Sequence, residues 1–160
     1  LTIGFLHVAF SSQLLLAQNS DSASNLHSEI PYIVSTSHVL WLQADGTVAG
    51  SGEENDGARG DSREVEIRFN FEPITQLQEI QQIATFECYS AALSQTGKVW
   101  SWGSFSFQPE PKQQPHLHSA LRDVIQIAVG SGFLMALTRD GSVYVSGNET
   151  YGILGEAPSS

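Results

Sequence analysis

Basic residues and cysteine are scarce in this sequence of 160 residues. It has 7 Lys and Arg against 17 Asp and Glu, which gives a formal net charge of −10. This excess of negative charge opposes contact with a phosphate backbone, so direct nucleic-acid binding is disfavoured. Cys88 is the only cysteine, which excludes an internal disulfide and a zinc site built from cysteines. Stability must come from packing, within this chain or against more protein.

Long apolar runs are also missing. The apolar stretch over residues 3–17 is interrupted by His7 and Ser11, whereas a membrane-spanning helix needs about 20 apolar residues. A signal peptide remains an alternative, although no Lys or Arg precedes the stretch and Leu15 stands where cleavage requires a small residue. We predict no membrane span, and an intracellular location unless residues 1–24 are a signal peptide.

What the chain does have is an internal repeat. A shift of 44 residues places Leu77 on Leu121 and continues without a gap, and a further copy lies upstream at a shift of 51. The positions that recur are mostly glycines and turn residues: Gly46, Gly52, Gly97, Trp102, Gly103, Asp140, Gly141, Gly147, Gly152 and Gly155. We predict a divergent segment over residues 1–31, which holds a faint fourth copy, and repeats over 32–76, 77–120 and 121–160.

Each repeat predicts short strands. In the third copy, two strand-like runs flank Asp140-Gly141, and an Asp-Gly pair between such runs is a strong hairpin signal. Three or four strands at a period of 44 to 51 residues are typical of a β-propeller blade. An all-β sandwich is the alternative, but it does not predict the period. A short helix over residues 77–83 is a second alternative to a loop entering a strand.

At these positions the sequence resembles the regulator of chromosome condensation repeat family. Units of that family have a strand ending in Ile-Ala-x-Gly, a strand ending in Ala-Leu-Thr, an Asp-Gly turn, and then Val-Tyr-x-Trp-Gly-x-Asn with a later glycine pair. The third copy matches at Ile127, Ala128, Gly130, Ala136, Leu137, Thr138, Asp140, Gly141, Val143, Tyr144, Gly147, Asn148, Gly152 and Gly155. It departs at Ser146, where the family has tryptophan. The second copy keeps Trp102-Gly103 but lacks the later glycines.

The resemblance implies an all-β partial propeller of about three blades, from a family whose propellers have seven. Seven units of this period need about 350 residues. Stacked repeats bury their apolar faces only against neighbours, so an open arc leaves faces uncovered. We therefore expect further blades, either in a larger protein or in another chain.

Binding in such a fold is expected in the connections, because rigid blades leave function to their loops. The loops over residues 53–61, 105–118 and 148–151 are the candidates. The predicted partner-contact residues are Glu53, Glu54, Asn55, Asp56, Arg59, Asp61, His116, His118, Asn148 and Glu149. The acidic balance favours a basic protein partner.

No catalytic constellation is visible. The sequence lacks a nucleophile elbow, a phosphate loop and a dinucleotide fingerprint. His116 and His118 alternate as two metal ligands would on a strand, but no further ligand cluster accompanies them. We predict no metal, no cofactor and no enzymatic activity.

The leading interpretation is a protein-binding scaffold. The resemblance also implies guanine-nucleotide exchange on a small GTPase as an alternative. The tripeptide Arg59-Gly60-Asp61 would matter only in a third alternative, a secreted propeller that binds other proteins.

Overall fold

A computed structural model describes residues 32–34, 38–53, 57–61, 67–104 and 112–147. Within these ranges the chain forms eleven strands. They are β1 (Tyr32–Val34), β2 (His38–Leu42), β3 (Val48–Glu53), β4 (Ile67–Pro73), β5 (Ile80–Phe86), β6 (Tyr89–Ser94), β7 (Val99–Gly103), β8 (Lys112–Leu117), β9 (Val124–Gly130), β10 (Phe133–Thr138) and β11 (Val143–Gly147).

The strands form three antiparallel sheets, each built from strands that follow one another in the chain. The first sheet has the order β1-β2-β3-β4, the second β5-β6-β7-β8 and the third β9-β10-β11. Within each sheet, successive strands pair antiparallel, and β2–β3, β6–β7 and β10–β11 form the hairpins that the Asp-Gly and Thr-Gly signals predict. The all-β prediction is confirmed, and the chain makes three sheets where a sandwich would have two.

Glycine closes the same hairpin in every sheet. Gly46, Gly97 and Gly141 have φ values of 82°, 77° and 88°, a region that L side chains rarely adopt. Each lies between the second and third strand of its sheet. The recurrence of glycine at this place in the sequence therefore has a conformational cause.

The segment before β5 is a loop that enters a strand, as one of the two interpretations of residues 77–83 holds. The backbone N–H of Leu77 donates to the carbonyl of Ile74 at 3.0 Å, which closes a single turn, and β5 then begins at Ile80. Leu77 and Ile80 are both buried in the core next to the first sheet. Leu77 and Ile80 are three residues apart because a single turn directs both side chains into the core. The alternative prediction of a short helix over residues 77–83 is wrong.

Two apolar clusters join the sheets face to face. The cluster between the first and second sheets contains Leu40, Val48, Ile74, Leu77, Ile80, Ile83, Ala92 and Trp102. The cluster between the second and third sheets contains Tyr89, Ala91, Leu93, Val99, Val124, Ile127, Leu134 and Ala136. Alternate residues of β6 face opposite clusters, as the two-residue period of a strand requires. The second sheet is thus buried on both faces, and all of β6 is buried.

The connections between sheets repeat as well. Glu79 precedes the second sheet and Asp123 precedes the third, with φ values of 54° and 53°. The carbonyl of Glu79 accepts from the N–H of Gln95 at 2.8 Å, and that of Asp123 accepts from the N–H of Arg139 at 2.9 Å. Each connection is therefore tied to the tight turn of the sheet it enters. These turns all lie at one end of the strands, which we name the turn end. The opposite end of the strands is the loop end.

The fourth copy proposed within residues 1–31 and the positions Gly152 and Gly155 lie outside the described residues. In the part of the chain that is described, no helix has the length and apolar character needed to cross a membrane.

Candidate protein-interaction site

The third strands of all three sheets finish at the loop end. Their last residues pair with the start of the preceding strand, as in the pairs His38 with Gly52, Tyr89 with Gly103 and Phe133 with Gly147. The loops that follow these strands therefore leave from one edge of the molecule. This edge is where the repeat places the predicted binding loops.

The described part of the first loop, residues 57–61, lies against the second sheet. The indole Nε1 of Trp102 donates to the carbonyl oxygen of Ala58 at 2.9 Å. Gly60 has a φ of 80°, and a Cβ built on it would lie 2.5 Å from that same Nε1. The repeat glycine is required here because the ring of the next sheet occupies the space a side chain would need.

Arg59 and Asp61 are folded into this junction. Arg59 is fully buried, and its guanidinium Nη2 lies 3.0 Å from the carboxylate Oδ1 of Asp61. Its Nη1 donates to the carbonyl oxygen of Gly52 at 3.2 Å, so the loop is tied to the end of its own strand. Their burial gives both residues a structural role, and we leave them out of the proposed contact surface. The Arg59-Gly60-Asp61 tripeptide is likewise not displayed as an exposed ligand.

A buried histidine completes the junction. His38 Nε2 lies 2.9 Å from Ser90 Oγ, and the Ser90 hydroxyl donates to the carbonyl of Ala58 at 3.0 Å. Since the Ser90 proton is used on Ala58, the imidazole Nε2–H is the donor in the first bond. Burial, with a smaller effect from the Arg59 charge, lowers the pKa of His38 to about 4. The imidazole is therefore neutral at pH 7 and holds no charge for a ligand.

Exposed acidic groups stand at the loop end beside this junction. Glu53 is exposed at the last position of β3, and Glu87 is exposed in the turn between β5 and β6. The remaining residues predicted for this edge lie outside the described residues: Glu54, Asn55, Asp56, Asn148 and Glu149. The described acidic groups at the loop end are thus Glu53, at the start of the loop that Arg59 fixes, and Glu87, in a turn of the second sheet.

His116 and His118, the two histidines predicted to contact a partner, lie toward the turn end. In the pairing of β7 with β8, Lys112 faces Gly103 at the loop end, whereas Leu117 faces Trp100 near the turn end. His116 and His118 flank Leu117, so the structure does not bring them together with Glu53. Their ring centroids are 6.1 Å apart. Within the described ranges, no group of three or more His, Cys, Asp and Glu side chains is placed to hold a metal ion.

His118 takes part in a hydrogen-bonded contact with the second sheet. Its Nε2 lies 2.7 Å from Ser101 Oγ. Ser101 also bonds the hydroxyl of Tyr89, and burial raises the pKa of Tyr89 to about 12 in spite of that bond. Tyr89 therefore stays neutral at physiological pH and acts as a packing residue.

Comparison with known proteins agrees with the repeat geometry. Residues 124–153 match the family model described as the regulator of chromosome condensation (RCC1) repeat. The chain is 30% identical over 131 residues to the regulator of chromosome condensation of Mus musculus, covering 76% of this chain and 31% of that protein. The chain thus spans about a third of the relative's length.

Two solved structures share the fold. The crystal structure of human WBSCR16 is similar over 81% of this chain and 34% of that one, with a TM-score of 0.68 and 25% identity. Prp20p from Saccharomyces cerevisiae, studied for its binding to Gsp1p and histones, is similar over 76% of this chain and 31% of that one, with a TM-score of 0.63 and 19% identity. The prediction of a partial propeller with repeats of this type is confirmed.

Proposed function

Since residues 124–153 match the regulator of chromosome condensation repeat and the chain is similar to regulators of chromosome condensation, we propose that it is a non-enzymatic, protein-binding part of a β-propeller. The repeat boundaries at residues 32–76, 77–120 and 121–160, after a divergent segment over 1–31, belong to this proposal. The contact surface is the loop end, with Glu53, Glu54, Asn55, Asp56, Asn148 and Glu149 as its candidate residues.

One observation carries the proposal: the loop after β3 is fixed on one side and exposed on the other. Arg59 and Asp61 are buried at the junction of two sheets, while Glu53 is exposed at the point where the loop begins. Residues 57–61, held in this way, lose little conformational freedom when a partner binds. Rigid scaffolds with exposed loops commonly use them for binding.

The charge indicates the chemistry of the partner. The chain has a formal net charge of −10, which raises the association rate with a basic protein and opposes contact with an acidic one. Histones, to which Prp20p binding was studied, are basic proteins and supply a suitable probe. We therefore propose a basic protein surface as the partner.

Binding of immobilised chain to core histones, measured by biolayer interferometry at two salt concentrations, tests this proposal. We expect the double variant E53K/E54K to weaken binding roughly tenfold, since charge reversal at an interface costs over 1 kcal/mol. The matched control is the double variant E79K/D123K, which makes the same charge change at two exposed residues of the turn end. Equal weakening by both variants would show a general charge effect and would reject the loop end as the contact surface.

Guanine-nucleotide exchange on a small GTPase is the second candidate. The similarity to regulators of chromosome condensation and the study of Prp20p with Gsp1p favour it. Release of a fluorescent guanine nucleotide from a panel of small GTPases tests it directly. No acceleration by the protein that contains this chain would reject exchange and leave the binding role.

A further inference from the structure

The outermost strand of the first sheet displays a row of large apolar side chains. β4 carries Ile67, Phe69 and Phe71 at alternate positions, which share one side of a strand. Phe69 is 91% exposed, and Ile67 and Phe71 are 53% and 43% exposed. Trp41 on β2 lies beside them, with its ring edge-on to that of Phe71. We name Trp41, Ile67, Phe69 and Phe71 the aromatic stripe.

Contacts between sheets do not account for the aromatic stripe. The 44-residue shift places Phe69 on Gln113 and Phe71 on Pro115 of β8. The strand pairing gives the same correspondence, because β4 and β8 pair with β3 and β7 in the same register. The second sheet is covered on both faces, yet Gln113 is exposed on its outermost strand. An outermost strand therefore needs no aromatic residues at these places to pack against a neighbouring sheet, and contiguous exposed apolar groups indicate a binding surface.

β4 also presents a free backbone edge in the part of the chain that is described. The first sheet has the order β1-β2-β3-β4, so β4 pairs with β3 alone. An edge strand can bind an extended peptide through its backbone N–H and C=O groups, while its side chains select the side chains of the peptide. Ile67 lies directly opposite Glu53 of β3. The aromatic stripe is therefore continuous with the contact surface proposed at the loop end.

The groups around the stripe indicate which side chains such a peptide carries. Glu53 is exposed at the loop end of the stripe, and the chain has a formal net charge of −10. Arg68 and Glu72, at intervening positions of β4, have opposite charges. Exposed aromatic rings attract guanidinium groups, and arginine stacks on them more often than lysine does. Arginines at alternate positions of a peptide strand would meet two rings and then a carboxylate along one row.

We propose that β4 binds an extended, arginine-containing segment of a partner protein as an added strand. Its arginines stack on Phe69 and Phe71, and one of them pairs with Glu53. This inference rests on the proposed binding of basic proteins and names the part of such a partner that is recognised. A second copy of this chain is a poorer occupant, because two chains with a net charge of −10 repel each other.

Fluorescence anisotropy of a labelled peptide, measured with the full chain, tests the proposal. The probe is a peptide as long as β4, seven residues, in which arginine alternates with threonine. Its control has the same side chains on a backbone whose amides are N-methylated, so that it has no N–H to donate. We expect the control to bind about tenfold more weakly, since it loses the bonds of an added strand.

Variants of the stripe test the role of the rings. We expect F69A and F69L to weaken peptide binding about threefold to fivefold and F69Y to retain it, because only the tyrosine keeps an aromatic face. The matched control is Y144A, which removes a ring that is 53% exposed on β11 and should leave binding unchanged. F69A should shift the melting temperature by less than about 1 °C, because Phe69 has little contact to lose.

Three results would overturn the inference: equal binding of the peptide and its N-methylated control, equal weakening by F69A and Y144A, or parent-like binding by F69L. A dimer of the parent chain in light scattering that F69A dissociates would also overturn it, by identifying a second copy as the occupant. The histone assay separates this inference from the proposed function. Weakening of histone binding by E53K/E54K but not by F69A would keep the loop end and reject β4. Peptide binding that depends on Phe69, without any histone binding, would keep β4 and reject the proposed function.

Discussion

The indole of Trp102 is hydrogen-bonded across a sheet boundary to the backbone of Ala58, at 2.9 Å from Nε1 to the carbonyl oxygen. The same oxygen accepts from the hydroxyl of Ser90 at 3.0 Å. Two donors from the second sheet therefore hold one carbonyl of the loop that leaves the first sheet. Residues 57–60 of this loop are therefore buried between the two sheets.

Removal of this indole should be far more costly than removal of another tryptophan. Trp102 is fully buried, whereas Trp41 is 38% exposed and packs edge-on against Phe71 at 5.5 Å. We expect Trp102→Ala to lower the free energy of unfolding by about 3–5 kcal/mol, as for other buried aromatic residues. Trp41→Ala, which deletes the same atoms, should cost well under half of that. Urea denaturation followed by circular dichroism measures both, and similar losses would contradict the role given to the junction.

Gly60 and Gly141 are required for different physical reasons. Both have positive φ, but a Cβ at Gly60 would meet the Trp102 ring, whereas a Cβ at Gly141 would meet nothing within 4 Å. Gly141→Ala should therefore cost only the backbone strain, about 1 kcal/mol. Gly60→Ala should cost this plus the displacement of the ring, and should also shift the tryptophan emission. If the two variants lost equal stability, the contact with Trp102 would carry no energetic weight.

The hairpins and the sheet order could be predicted from the sequence because they depend on local signals. An Asp-Gly or Thr-Gly turn between apolar runs fixes a hairpin within about ten residues of chain. The burial of Arg59 and Asp61 could not be predicted, because it depends on Trp102 lying across the junction, more than 40 positions away. A charged residue in a glycine-rich loop is normally solvated. One sequence signal does indicate that this loop is folded: Gly52, Gly57 and Gly60 have the same spacing as the glycines at 147, 152 and 155 in the third repeat.

The separation of His116 and His118 from the acidic loop also could not be predicted from the sequence. The sequence groups His116 with Glu53 because both lie in predicted connections between strands, where binding is expected. In the structure His116 lies within β8, which begins with Lys112 beside Gly103 at the loop end and reaches Leu117 beside Trp100. The direction of β8 reverses the chain and carries the histidine toward the turn end. Pairing direction of a fourth strand is set by tertiary packing, for which the sequence has no local signal.

Acidification should destabilise the junction between the first two sheets through His38. The pKa of this imidazole is about 4 in the folded chain against an ordinary value of 6.5. The unfolded chain therefore binds more protons between these values, and stability falls as the pH drops from 6.5 to 4, by about 3 kcal/mol. His38→Phe, which places at this position the residue found at Phe133, should remove most of this dependence. Urea midpoints at pH 7, 5.5 and 4.5 measure the slope, and an unchanged slope in the variant would exclude His38 as its source.

The tight turns should respond to acid at a lower pH than His38. The hydroxyl of Thr138 donates to Asp140 Oδ1 at 2.6 Å and the N–H of Ser142 donates to it at 3.0 Å, and these bonds, the first above all, lower the pKa of Asp140. A depressed carboxyl pKa contributes stability above the ordinary value of 3.8, and this contribution is lost as the pH falls through the folded pKa. Asp140→Ala should therefore lower the melting temperature at pH 7, with a difference from the parent that narrows below pH 4. The matched control is Thr96→Ala, since Thr96 occupies the same place in the second sheet and bonds Ser94 through a hydroxyl. The change in melting temperature caused by Thr96→Ala should not depend on pH. If the melting-temperature difference from the parent narrowed below pH 4 for both variants, the pH dependence would come from groups outside the Asp140 turn.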